Sequence, residues 1–181
     1  ILRPGYVLIE QVRIKMEALR DPIIFKAHES HIIDLAFTSD SRYLLSAGMD
    51  NLVHQWLVDD WSLKQAYTGH EKSVNSVCLT TDGKRFVTAS SDRSLFLWGV
   101  GSPEPLEKLA IKGSNALLSE RDCYLAVVDG PWLTILEFNT QKILKRFKPF
   151  PKRTTALAFS PDEKWLAAGG QGDPIRIFEL P

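Results

Sequence analysis

Cysteine is almost missing from this sequence: Cys78 and Cys123 are the only two in 181 residues, far apart and without a C-x-x-C spacing. That excludes a disulfide framework and a thiolate zinc site, and it predicts a reducing, cytoplasmic or otherwise intracellular setting. Net charge is missing as well, with 22 basic against 22 acidic side chains. A chain without a global field does not gather nucleic acid or an anionic membrane non-specifically, so any such partner requires a local patch. No apolar stretch approaches the roughly 18 residues of a membrane helix. The opening ILRPGYVLIEQ also lacks the charged-then-apolar order of a signal peptide. Neither the phosphate-loop pattern G-x-x-x-x-G-K-S/T, nor G-x-S-x-G, nor H-E-x-x-H occurs. Asp59 and Asp60 are adjacent in a polar loop, which is no evidence of a shared acid–base site. The sequence therefore predicts no catalysis, no cofactor and no metal.

What the chain does contain is repetition. From Phe37 it reads FTSDSRYLLSAGMDNLVHQW, from Leu79 LTTDGKRFVTASSDRSLFLW, from Ser119 SERDCYLAVVDGPWLTILEF, and from Phe159 FSPDEKWLAAGGQGDPIRIF. Aligned without a gap, the blocks share Asp40, Asp82, Asp122 and Asp162, recurring every 40 to 42 residues, and each closes on an aromatic at Trp56, Trp98, Phe138 or Phe178. Apolar columns such as Leu35, Val77, Leu117 and Leu157 precede polar turns (SDSR, TDGK, ERDC, PDEK), and the spacing within each column set is that of strands. The runs WSLKQAYT, PLEKLAI and KILKRFK add a fourth strand between repeats. Four short strands per forty-residue unit is one propeller blade, which makes the expected fold all-β.

The first two repeats resemble the WD40 family. Gly69-His70 matches its Gly-His dipeptide and Ala27-His28 matches it in part, while Asp50 and Asp92 stand six residues before Trp56 and Trp98, with Ser46 and Thr88 four residues earlier still. The resemblance implies two buried polar tetrads, His28–Ser46–Asp50–Trp56 and His70–Thr88–Asp92–Trp98, in which every polar group finds a partner. Neither tryptophan is followed by the family's aspartate (Trp56-Leu57, Trp98-Gly99). On the ungapped alignment the tetrad positions of the third repeat hold Ala110, Val128, Trp132 and Phe138, and those of the fourth hold Phe150, Ala168, Gly172 and Phe178. Exchanging all partners for apolar groups is tolerable, whereas losing one strands the others. Blades are expected at about 25–60, 61–100, 105–139 and 142–180, with residues 1–24 closing a preceding blade or forming an N-terminal strand. The whole is expected to be an arc of a seven- or eight-bladed ring. A closed four-blade form, in which residues 23–27 supply the last strand, and a ring completed by a second chain are the alternatives.

The same resemblance implies a non-catalytic interaction scaffold that holds a protein or peptide on its rims. Since each histidine must touch its turn aspartate, both lie at one end, whose rim would present His31, Met49, Asn51, Lys72, Ser91, Arg93, Trp132, Lys152 and Arg153. Trp132, in a Gly130-Pro131-Trp132 turn, is either an exposed anchor or folds back over the neighbouring blade. From Lys142 to Arg153 there are six Lys or Arg residues and no acid. They either protect an edge strand or bind an anionic ligand through Lys142, Lys145, Arg146 and Lys148, nucleic acid being the less favoured form of it. A third reading makes the chain the regulatory arc of a larger signalling protein.

Overall fold

A computed structural model describes residues 22–181, and the expectation for residues 1–21 lies outside the described residues. Among those described there is no helix, and none long and apolar enough to cross a membrane. Each repeat becomes one antiparallel sheet with its strands in chain order. The first blade is β1 (Ile32–Phe37), β2 (Tyr43–Gly48), β3 (Val53–Leu57) and β4 (Leu63–Tyr67). The second is β5 (Val74–Leu79), β6 (Arg85–Ser90), β7 (Leu95–Gly99) and β8 (Pro105–Lys108). The third is β9 (Asn115–Leu118), β10 (Tyr124–Asp129), β11 (Trp132–Glu137) and β12 (Ile143–Phe147). The fourth has three strands, β13 (Thr154–Phe159), β14 (Trp165–Gly170) and β15 (Arg176–Glu179).

Strand alternation sends neighbouring side chains to opposite faces, and here both faces are apolar. Leu45, Ala47 and Val53 of the first blade pack on Val74, Phe86, Phe96 and Trp98 of the second. Val87, Ala89, Leu95 and Leu97 then meet Ala116, Leu125, Val127 and Leu136 of the third. Ala126, Val128, Leu133 and Ile135 in turn meet Phe150, Leu166 and Ala168. The inner strands β1, β5, β9 and β13 share a central cavity of about 530 Å3 that Asp34, Asn75, Cys78, Asn115 and Thr155 help to line. Burial there pushes the Cys78 thiol up to about 12.

The flanks behave differently. Ile175 and Ile177 stand where the third blade has Leu133 and Ile135, yet they are 74% and 57% exposed against 0% and 3%. On the opposite flank Leu35 is 55% exposed, while its counterpart Val77 is 4% exposed. Both terminal sheets thus leave an apolar face uncovered by described residues. Residues 23–27 do not complete the fourth blade. Phe25 rests on Trp56 and Trp61 of the first blade, with ring centroids 4.9 and 5.8 Å away, and no strand forms on β15.

The third repeat departs from the ungapped alignment. In three blades a hydroxyl opens the β-turn: Thr38, Thr80 and Ser160 donate to Asp40, Asp82 and Asp162 at 2.6 Å and accept the backbone N–H five residues on. Ser119 accepts from Tyr124 N–H in the same way, which puts Arg121 at the aspartate position. Asp122 falls instead on the left-handed position held by Ser41, Gly83 and Glu163, all with φ between 58° and 66°. The offset persists along the strands. Leu44, Phe86 and Leu166 pair with Trp56, Trp98 and Phe178, but Leu125 pairs with Leu136, not Phe138. Val127, not Val128, therefore stands opposite Ser46 and Thr88 in the pattern. A further residue is lost after β10, at the hairpin closed by Gly130 and Pro131 between the paired Asp129 and Trp132, which is shorter than in the other blades.

That shifted turn acquires a role of its own. The Asp122 carboxylate accepts Thr81 N–H of the second blade at 2.9 Å, and Glu163 Oε1 accepts Arg121 N–H of the third at 2.7 Å. Glu163 is buried. Burial acts to raise its carboxyl, but hydrogen bonds from Cys123, Ser119 and Arg121 N–H hold it below the ordinary range. Removing Glu163 leaves a donor without its partner, so Glu163→Ala should cost about 1–3 kcal/mol in a urea melt. The more exposed Asp122→Ala should cost clearly less, and equal midpoints for the two variants would contradict the latch.

Candidate functional site

Two polar tetrads underlie one rim of the arc. His28 precedes β1, Ser46 lies on β2, Asp50 in the β2–β3 turn and Trp56 on β3. Trp56 Nε1–H donates to Ser46 Oγ at 2.9 Å, Ser46 Oγ lies 2.7 Å from His28 Nε2, and His28 Nδ1 lies 2.9 Å from both Asp50 oxygens. The second blade repeats this. Trp98 Nε1–H reaches Thr88 Oγ1 at 2.9 Å, Thr88 Oγ1 is 2.7 Å from His70 Nε2, and His70 Nδ1 is 3.2 Å from Asp92. A neutral imidazole protonated at Nδ1 satisfies each chain of bonds: the indole donates to the hydroxyl, the hydroxyl to Nε2, and Nδ1–H to the carboxylate. Each aspartate also accepts a backbone N–H of the histidine loop, from Glu29 at 3.1 Å and Glu71 at 2.8 Å. The loop before each blade is thereby fastened to its β-hairpin.

Serine, histidine and aspartate in sequence suggest a nucleophile with its base, but this arrangement serves no external substrate. Ser46 and Thr88 are fully buried and each already accepts an indole proton. His54 stacks on His28 at 4.5 Å and its Nδ1 lies 2.7 Å from Ala27 O. Among the described residues no group of three His, Cys, Asp or Glu side chains is placed to hold a metal. The fourth blade replaces the tetrad by packing. Phe150 lies against Gly170 so closely that a Cβ added there would come within 2.6 Å of its ring, just as one added at Gly48 would strike His28. In the third blade Gly113 crowds Val127.

The rim above carries the remaining residues singled out in the sequence. His31, Met49, Lys72, Ser91, Arg93, Lys152 and Arg153 are exposed, and Asn51 and Trp132 are half-buried. Asn51 and Arg93 hold left-handed turn positions, φ 70° and 69°, and each spans a blade boundary. Asn51 Nδ2 donates to Glu71 O at 3.3 Å, and Arg93 pairs with Asp129 at 2.5 Å. Asp129 escaped the sequence reading, since it aligned with no conserved role in the other repeats. Trp132 is half-buried, with Arg146 and Lys148 of its own blade 4.9 and 4.6 Å from its ring centre. The basic run is divided. Lys145 lies 5.3 Å from the Phe147 ring, on the side where Phe147 meets Phe178 of the fourth blade, apart from Arg146 and Lys148. Lys142 is exposed next to β12.

Such sheets, stacked face to face about a central cavity and stapled at one rim, define an arc of a β-propeller. The family described as WD domain, G-beta repeat matches residues 21–56, 61–99 and 142–173, together more than half of the sequence, and the chain belongs to it. The unmatched stretch between residues 99 and 142 contains the first three strands of the third blade, where hairpin length and tetrad both depart from the pattern. Over 71 residues the chain is 38% identical to a WD repeat-containing protein of Schizosaccharomyces pombe, covering 39% of this chain and 18% of that protein. It is 26% identical to apoptotic protease-activating factor 1 of Rattus norvegicus over 82% of this chain and 13% of the relative. It is 29% identical to cilia- and flagella-associated protein 57 C of Tetrahymena thermophila over 87% and 14%. The chain spans less than one fifth of the length of each.

The tetrad geometry sets two expectations. His70→Ala strands a buried hydroxyl and carboxylate, so it should lower stability by about 1–3 kcal/mol, whereas the exposed His31→Ala should change it little; indistinguishable melting temperatures would contradict this assignment. Burial holds His70 below the ordinary imidazole value, overcoming the opposing pull of Asp92. The unfolded chain then binds that proton more readily, so stability falls as pH drops below about 6.5. Burial acts to raise Asp92 and Asp50 as well, yet Ser94 and Glu71 N–H hold Asp92 low and His28 does so for Asp50, placing a second loss below about pH 4. Calorimetry across this range should show both declines, and a melting temperature that rises on acidification from pH 7 would refute the scheme.

Proposed function

We propose that this chain is a non-catalytic protein-interaction scaffold, acting through the rim that the two tetrads fasten. The observation that carries this reading is the placement of exposed Met49, Lys72, Ser91 and Arg93 on turns whose neighbouring aspartates are locked to buried histidines. A rigid base beneath exposed side chains lowers the ordering cost of binding. The uncovered apolar flanks support a second element of the proposal: further blades, from a longer chain or a second copy, cover Leu35 and Phe37 on one side and Trp165, Ile175 and Ile177 on the other. An intracellular setting accompanies this reading, as does membership of a larger assembly, in keeping with the much greater length of the relatives. An anionic ligand held jointly by Lys142, Lys145, Arg146 and Lys148 is less well supported, because Lys145 and Arg146 sit on different sides of β12.

The test is affinity capture with the full-length protein and a Met49→Glu, Lys72→Glu, Arg93→Glu variant, each checked for an unchanged melting temperature. A discrete protein partner held by the wild type and lost with the variant is expected. Recovery of the same proteins by both would exclude this rim as the binding surface.

A further inference from the structure

Between the second and third blades a groove opens beside the rim. Its wider part encloses about 290 Å3 and is lined by Arg93, Lys112, Asp129 and Arg146 together with Ile111 and Ile143. A narrower continuation of about 110 Å3 shares Ile111 and Ile143 and adds Leu136 and Gln141. The groove therefore has a charged end and an apolar end, joined by two isoleucines. Ile143 is 56% exposed at its lip.

The charged end holds three cations around one carboxylate. Arg93 is engaged by Asp129 at 2.5 Å, which leaves Lys112 and Arg146 without a carboxylate partner among the described residues. Arg146 is held over Trp132, its guanidinium carbon 4.9 Å from the ring centre, so part of its ordering cost is met before any ligand arrives. Gln141, at the other end, is fixed by both Glu107 carboxylate oxygens at 2.9 Å.

We propose that this groove binds an extended acidic segment of a protein partner, with a carboxylate side chain on Arg146 and Lys112 and a nearby apolar side chain between Ile111 and Ile143. The proposal rests on the scaffold reading and assigns it a site and a ligand chemistry. A guanidinium forks onto a carboxylate with two parallel hydrogen bonds, and alternate side chains of an extended segment reach pockets on one side. Asp129 lines the same space and takes up Arg93, which limits the cations left for a ligand to Lys112 and Arg146. Single-stranded nucleic acid is bound on open aromatic platforms, whereas the nearby Trp132 is half-buried with the Arg146 and Lys148 cations against its ring.

The probe is a fluorescein-labelled, capped octapeptide of glycine and serine carrying one glutamate and one leucine two residues apart, titrated with the full-length protein by anisotropy. A dissociation constant on the order of 0.1–1 mM is expected for so small a contact. It should weaken about tenfold when the peptide glutamate becomes glutamine, and equally in Arg146→Gln or Lys112→Gln. Lys64→Gln on the first blade should leave it unchanged, and unaltered melting temperatures in the variants establish that they fold. Three results would overturn the proposal: no saturable binding, binding by both groove variants as tight as by the wild type, or a phosphoserine peptide bound about tenfold more tightly than the glutamate peptide. If the octapeptide fails while the rim variant still loses its captured partner, the groove proposal falls and the scaffold reading stands.

Discussion

A sheet with two apolar faces needs a neighbour on each, and the rest of the molecule follows from that requirement. Residues one apart along a strand serve different interfaces. On β10, Leu125 and Val127 face the second blade while Ala126 and Val128 face the fourth. No blade owns a core. Cohesion is a property of adjacent pairs, as in other repeat architectures whose stability sums over neighbour contacts. The exposed isoleucines of the fourth blade and the exposed Leu35 and Phe37 of the first express the same constraint where no described residue meets it.

Apolar packing holds blades together but does not fix their loops, and the chain solves that problem in two ways. Blades one and two bury a hydroxyl that joins an imidazole to an indole, so the loop, the strand and the hairpin share one hydrogen-bonded chain. Blades three and four dispense with it. Phe150 occupies the space over Gly170 that His28 occupies over Gly48, and the carboxylates of Asp122 and Glu163 reach across to the preceding blade at the opposite end. A complete polar network and a complete apolar substitution are both stable; intermediates are not, since each stranded group costs about 1–3 kcal/mol. Glu163 stays ionised despite its burial because three donors converge on it.

The blade count and the strand order were legible in the repeated columns, and the tetrad members through the resemblance to the WD40 family. His70, Thr88, Asp92 and Trp98 carry polar groups in an apolar pattern, so they must be bonded in the fold. The register of the third repeat was not legible. A one-residue slip exchanges the faces of a strand, but YLAVVD is apolar on both faces, so no residue signalled the error. The coincidence of Asp122 with the aspartate column concealed it further, since a left-handed turn position accepts aspartate readily. The pairing of Arg93 with Asp129 was equally hidden, because it joins two repeats that an alignment treats separately.

These distinctions bear on how such an arc achieves specificity. The tetrads share one arrangement in both blades that have them, and a feature repeated for stability distinguishes no partner. What varies is set on top of it: Met49 beside one turn and Ser91 beside the next, Asn51 spanning to a backbone carbonyl and Arg93 to a carboxylate. The groove between the second and third blades depends on the departure of the third from the pattern. Its short hairpin brings Asp129 and Trp132 together as paired residues, Asp129 engages Arg93, and Trp132 seats Arg146. The site with the most individual chemistry thus arises in the repeat that least resembles its siblings, where loss of the shared network freed the positions around it.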